Sequence, residues 1–344
     1  MNKIKNILIV FLLSIIQLKA QDARYAHSYA NPLRINPAIM GASNNAKFML
    51  NYRSQWASID KGFKTASFSA IYPIFLVDNK GKVDVGLAIM NDKAGAFSTT
   101  DVSLAFDFSK EIAPNNNLCF SLIGGFVQKK IDLGNQTFDA QYINGTFNSS
   151  NSTNELVIDS KINYADIGFG FMWFYNPNRS SSKLNAYAGF AGYHLNQPNQ
   201  TLIESNGKLP ARFAYQGGLK FFGDNKIDIS PNVRVNYQKG NTEIASGLYV
   251  DYNFQSNMKL VVGAWYRMHD AIAFLVGYEH KNLMVGYSYD MVNSGLERVV
   301  SSVNAHEITL CYKFLRKSKN TAAFGSEGEN VKVSDLSSTP FSNF

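Results

Sequence analysis

The residues in this 344-residue chain that could do chemistry are few and scattered. Its five histidines, His27, His194, His269, His280 and His306, show neither i, i+4 nor Cys/His metal-ligand spacing, so no metal site is expected. Cys119 and Cys311 fall on segments that are not neighbours and read as two free thiols facing an interior. There is no Gly-x-Ser-x-Gly elbow and no phosphate loop, so nothing nominates a nucleophile or a cofactor. The chain reads as a non-catalytic protein. What remains is chemistry of binding. Arg53, Gln55 and Trp56 form one group, with a guanidinium beside an aromatic ring. The pairs Tyr289-Asp290 and His306-Glu307 form another. The first group would hold a peptide carboxylate or backbone, or else be a girdle tryptophan beside a structural charge, and the second reading is slightly favoured. The two pairs are most simply an internal polar network.

The elements that must position these groups are strands. From Ala46 to Phe314 the sequence breaks into fourteen runs of period-two alternation, at 46–56, 64–75, 82–91, 98–111, 117–129, 161–174, 183–193, 211–222, 226–238, 242–254, 258–267, 272–280, 282–290 and 304–314. In one of them Val102, Leu104, Phe106 and Phe108 oppose Asp101, Ser103, Ala105 and Asp107; in the last, Ile308, Leu310, Tyr312 and Phe314 oppose Glu307, Thr309, Cys311 and Lys313. The runs are about the 9–11 residues, or slightly more, that a tilted strand needs to cross a bilayer. The count of 18 Tyr, 25 Phe and 25 Gly fits a sheet with an aromatic outer face. Connection lengths decide between a soluble sandwich and a membrane barrel. The three long connections, 130–160, 194–210 and 291–303, fall on one side, as in outer-membrane barrels with short periplasmic turns and long outer loops. Backbone groups in lipid must pair internally, so such a sheet has to close. The expected fold is a fourteen-stranded antiparallel transmembrane β-barrel over 46–314.

The ends of the chain complete this picture. Lys3 and Lys5 precede an apolar run, Ile7 to Ile16, and Ala20 precedes Gln21, which is the pattern of a secretory signal peptide over 1–20. Removing Lys3, Lys5 and Lys19 takes three of the +7 charges and leaves +4, too mild and too evenly spread for nucleic acid. Residues 21–45 form a Pro-rich periplasmic lead-in. In it Asn31-Pro32 and Asn36-Pro37-Ala38 fix two bends, and Gly41 can supply an irregular backbone angle. A rigid entry segment tucked into the periplasmic mouth is the favoured reading, with a plug or docking element the other. Residues 315–344 are too poor in apolar content to pack a core and are expected to be a flexible periplasmic tail.

Four motifs in this order carry a family resemblance: Asn31-Pro32 with Asn36-Pro37-Ala38 and Gly41; Tyr52-Arg53-Ser54-Gln55-Trp56 with Thr65; Gly286-Tyr287-Ser288-Tyr289-Asp290; and His306-Glu307-Ile308. Together they resemble the PorP/SprF family of outer-membrane proteins of type IX secretion and gliding, over the whole mature chain. One departure is Asn304-Ala305, where the family commonly has a small Gly-Ser pair before His-Glu. The resemblance implies an integral outer-membrane protein, exported by the Sec route and surrounded by outer-membrane lipid. Its implied partner is a secreted adhesin with a C-terminal sorting domain, or else the periplasmic ring or peptidoglycan-associated proteins of the same machinery. Asn36-Pro37-Ala38 ahead of a fourteen-stranded barrel also resembles FadL-type transporters of apolar solutes, which makes transport the rival function. The inward Asp, Asn, Arg and Glu of the alternation suit an apolar solute poorly.

Overall fold

The structure is a computed structural model that describes residues 31–57, 62–76, 81–132, 138–143, 146–152, 160–177, 182–202, 207–223, 226–255, 257–292 and 304–314. The leader, residues 21–30 of the lead-in and the tail lie outside the described residues. Strands β1 (Ala46–Gln55), β2 (Phe63–Phe75), β3 (Lys82–Ala94), β4 (Phe97–Ala113) and β5 (Asn116–Ile131) form consecutive hairpins. A two-stranded ribbon, β6 (Tyr142–Ile143) and β7 (Thr146–Phe147), stands apart in the connection that follows. The wall resumes with β8 (Lys161–Tyr175), β9 (Leu184–Tyr193), β10 (Arg212–Phe222), β11 (Ile227–Gln238) and β12 (Asn241–Gln255). It ends with β13 (Met258–Arg267), β14 (Ala271–His280), β15 (Leu283–Val292) and β16 (Ala305–Phe314). Apart from the ribbon, these strands make one closed antiparallel barrel of fourteen, sealed by β1 against β16 from Ala46↔Phe314 to Gln55↔Ala305.

The alternation read from the sequence is the alternation of the wall. Along β16 every odd residue is buried and every even residue exposed. The outward positions carry large apolar groups such as Phe106, Leu122, Phe126 and Ile308, each more than half exposed, which only a lipid surround tolerates on this scale. Some strands extend beyond the expected bounds. β3 reaches Ala94 because Gly95 (φ +62) closes a tight turn that keeps Ala94 paired with Phe97. Pro231 sits in β11 where the ladder to β10 lapses between Gly218↔Asn232 and Phe221↔Ile229, so its missing N–H costs no bond there. Ala46 and Phe314 meet at one rim, the terminal rim, and the opposite, long-loop rim bears the connections 132–160, 194–211 and 293–304.

The described part of the lead-in is not at the mouth. Residues 31–43 run inside the barrel as a one-turn helix, α1 (Pro32–Ile35), followed by a 3-10 helix (Pro37–Ala42). Leu33 and Met40 pack with Met49, Ile71, Ala88 and Ala105 of the wall, while Ile35, Ala38 and Ile39 pack with Cys119, Met172 and Phe174. Small inward residues make the room. A Cβ on Gly86 would collide with Met40 Sδ, and one on Gly170 with Asn36 Oδ1. Gly41 itself is required by space, since a Cβ there would run into Ser109 Oγ and Cys119 Sγ, and not by the irregular angle expected of it. The cleared strip of wall that receives the plug is spread over strands far away in sequence.

Candidate functional site

Each Asn-Pro pair begins a short helix, with proline at its first position, where a missing N–H costs nothing. The Asn36 side chain caps the second helix by accepting from the Ala38 amide at 3.0 Å. Its amide nitrogen donates to the carbonyls of Phe171 (3.1 Å) and Phe190 (3.2 Å), which pins the plug to β8 and β9. Asn31 accepts instead from Ser69 Oγ at 3.2 Å. Tyr193 Oη donates to the Leu33 carbonyl (2.8 Å), Arg212 to the Arg34 carbonyl (3.0 Å), and Lys82 Nζ to the carbonyls of Gly41 (3.0 Å) and Ser43 (2.6 Å). Arg34 forms an ion pair with Asp101 of β4. The plug is thus held from the terminal rim, at Lys82, to the long-loop half, at Arg212.

The second cluster lies across the closing seam. Arg53 is 3% exposed and reaches Asp290 Oδ2 at 2.8 Å and Glu307 Oε2 at 3.1 Å. Asp290 is shared with Arg267 at 2.8 Å, and Arg267 also holds Asp270 at 2.8 Å. Asn51 donates to Glu307 (2.9 Å) and Thr309 (2.8 Å), and Gln55 accepts from Arg53 at 3.5 Å. Of the sequence-derived groups, Arg53, Gln55, Asp290 and Glu307 therefore meet inside the barrel. Trp56 does not join them: it follows the strand at φ +57 and packs in a tilted contact on Phe63 with centroids 4.7 Å apart. Tyr289 and His306 do not join them either. They are direct partners in the β15–β16 register and point outward, where His306 Nδ1 meets Tyr287 Oη at 2.7 Å. The expected internal network thus takes one member of each pair, because neighbouring residues on a strand face opposite sides.

Above the plug a cavity of about 180 Å³ opens toward the long-loop rim. Arg34, Arg212, Arg234 and Arg267 face it together with Asp92, Asp101, Asp166 and Glu243. Gln200 and Leu209, from the β9–β10 connection, close part of its mouth. Arg234 lies 3.7 Å from Glu243 and 5.7 Å over the Trp265 ring. Arg234 Nε and Arg267 Nη1 are buried with no hydrogen-bond partner among the described residues, two donors in a polar chamber. Sequence reading missed this vestibule. Arg34 sits on the plug, and Arg212, Arg234 and Arg267 are single charges on three different strands that only the parity of the alternation marks as inward. Among the described residues no cluster of His, Cys, Asp and Glu has the makings of a metal site.

A closed fourteen-stranded barrel with an apolar outer face and a plugged, charged lumen is a membrane barrel of the outer-membrane type. Solved barrels resemble it, two of them as follows. The Ralstonia pickettii toluene transporter TbuX superposes with a TM-score of 0.51 at 10% identity, over 82% of this chain and 92% of that one. A Pseudomonas aeruginosa FadL homologue gives 0.49 at 10% identity, over 81% and 92%. At such identity the likeness concerns the fold alone. No curated protein matches the chain. Residues 17–312 match the family described as type IX secretion system membrane protein PorP/SprF, and the chain belongs to that family.

Proposed function

We propose that this protein is a non-catalytic outer-membrane anchor for surface adhesins exported by type IX secretion. The observation that carries the reading is the plug. Residues 31–43 fill the lumen through hydrogen bonds and ion pairs from several strands, which suits a docking barrel better than an open solute path. What stays accessible is the arginine vestibule beneath the long loops, whose buried N–H donors fit carboxylates and backbone carbonyls of a polypeptide. In this reading residues 1–20 direct Sec export, the long-loop rim faces the cell exterior, and the tail lies in the periplasm. Asn31, Asn36 and Gly41 position the plug, while Arg53, Asp290 and Glu307 hold the seam beside the vestibule.

The test is co-purification from detergent-solubilised outer membrane with and without residues 136–156. The shortened barrel should fold and lose its secreted partner from the cell surface, with uptake of small apolar nutrients unchanged. Normal adhesin display with impaired uptake would favour a FadL-like transporter instead. Retention of periplasmic ring or peptidoglycan-associated proteins with no adhesin would favour the motility branch.

A further inference from the structure

A run of basic residues crosses the outer face of the wall near the long-loop rim. Following direct register partners from strand to strand gives Tyr289, His306, Ser54, Lys64, Lys93, Ser98, Lys130 and Lys161, on β15, β16, β1, β2, β3, β4, β5 and β8. His306 and all four lysines are exposed. Neighbouring strands lie about 4.8 Å apart, so Lys64 and Lys93 form one adjacent pair and Lys130 and Lys161 another, with Ser98 between. Like charges placed directly opposite on a sheet repel. Among the described residues none of the four makes an ion pair, and no Asp or Glu within a strand faces outward beside them; Asp132 lies beyond the end of β5.

The run is one-sided. At the same rim the strands β10 to β15 present Phe213, Tyr237, Ile244, Tyr266, Ile272 and Met291 outward, with no charge, and Lys239 lies beyond the end of β11 in the turn to β12. Lysines that merely snorkel would be expected all round a barrel. Just below the lysines, the outward residues pass from Ala66, Asn91, Gln128 and Asn163 to Phe68, Ile89 and Phe126, so the ammonium groups stand where lipid headgroups begin.

We propose that this strip binds the phosphate groups of a glycolipid headgroup in the outer leaflet. The inference rests on the reading that the long-loop rim faces the exterior. The two lysine pairs each supply a point-charge clamp for a phosphate, and the bound anion removes the repulsion within each pair. Tyr287, Tyr289 and His306 border the strip with hydrogen-bonding groups at one end.

The full chain, reconstituted in phosphatidylcholine nanodiscs doped with bis-phosphorylated lipid A, should retain that lipid through washing, as counted by native mass spectrometry. Lys64→Gln/Lys93→Gln/Lys130→Gln/Lys161→Gln should lower retention by at least about tenfold, and Lys64→Gln/Lys93→Gln alone by an intermediate factor. Lys110→Gln, outward at the terminal rim, should change nothing. Equal retention by the fourfold variant, or of dephosphorylated lipid A, overturns the proposal. So does phosphatidylglycerol held as well as lipid A, which would reduce the strip to a general anionic attraction. Protease accessibility of the long loops on intact cells reads the orientation separately, so a failure of that reading is told apart from a failure of the strip.

Discussion

Replacing Arg53 by methionine tests the seam. The guanidinium is 4% exposed and neutralises two carboxylates that are themselves 1% and 0% exposed. Once it is gone, Asp290 keeps Arg267 at 2.8 Å and Glu307 keeps the neutral amide of Asn51 at 2.9 Å. Two buried carboxylates then share one guanidinium fewer. Breaking a buried pair in this way costs roughly 3–5 kcal/mol, and the surviving Arg267 places the expected loss near the lower figure. Methionine keeps the volume, so little of the loss comes from a cavity. Removing Glu307 as well, in Arg53→Met/Glu307→Met, should recover most of the stability, because replacing a whole buried pair by apolar groups is often neutral. The assay is denaturant unfolding in detergent, followed by the gel shift between folded and unfolded barrel. If the single and double variants unfold at the same midpoint, or the single variant is silent, the network is screened by water and the argument fails.

Other expectations follow from the face assignments. Phe106→Arg on the lipid face should cost ~2–4 kcal/mol where Phe106→Leu costs little, as read by refolding into bilayers; equal effects would place Phe106 elsewhere than in lipid. Gly170→Val should overpack the plug against β8 by about 1–3 kcal/mol and, in a Cys311→Ser background, let a maleimide reach Cys119, which is 0% exposed beside Gly41; unchanged labelling would mean the plug yields without leaving. Protease added to intact cells should cut within 130–160 or 194–210 and spare 315–344, and cleavage confined to the tail would invert the orientation.

Much of the wall was legible because period two is local: Val102 to Phe108 and Ile308 to Phe314 declare their faces without reference to any partner strand. The sorting of long connections to one rim added closure, since it is a property of the whole chain. The contents of the barrel were less legible. Nothing near Asn36 says that Phe171 and Phe190 will offer their carbonyls, and nothing near Gly170 says that an asparagine needs its space. Arg53, Asp290 and Glu307 were singled out through the family motifs, but grouping them with Tyr289 and His306 ignored the parity rule that had built the wall. Arg234 and Arg267 sat inside correctly assigned strands and went unnoticed for want of a motif around them.

The plug also bears on the time order of folding. Its hydrogen-bonding partners Phe171, Phe190, Tyr193 and Arg212 lie 135 to 178 positions downstream, and those of Arg53 and Asn51 at the seam up to 258. Residues 31–43 are therefore made long before their final surroundings exist, and contacts so distant form slowly. During that wait Leu33, Ile35, Ile39 and Met40 constitute an apolar, β-compatible stretch exposed to every other unpaired strand. Pro32 and Pro37 interrupt it twice, and a proline can neither donate to a ladder nor sit within a stacked β-segment. The two prolines thus act before the barrel exists as well as after it: they keep the future plug from pairing with the wrong strand until the wall has curled around it.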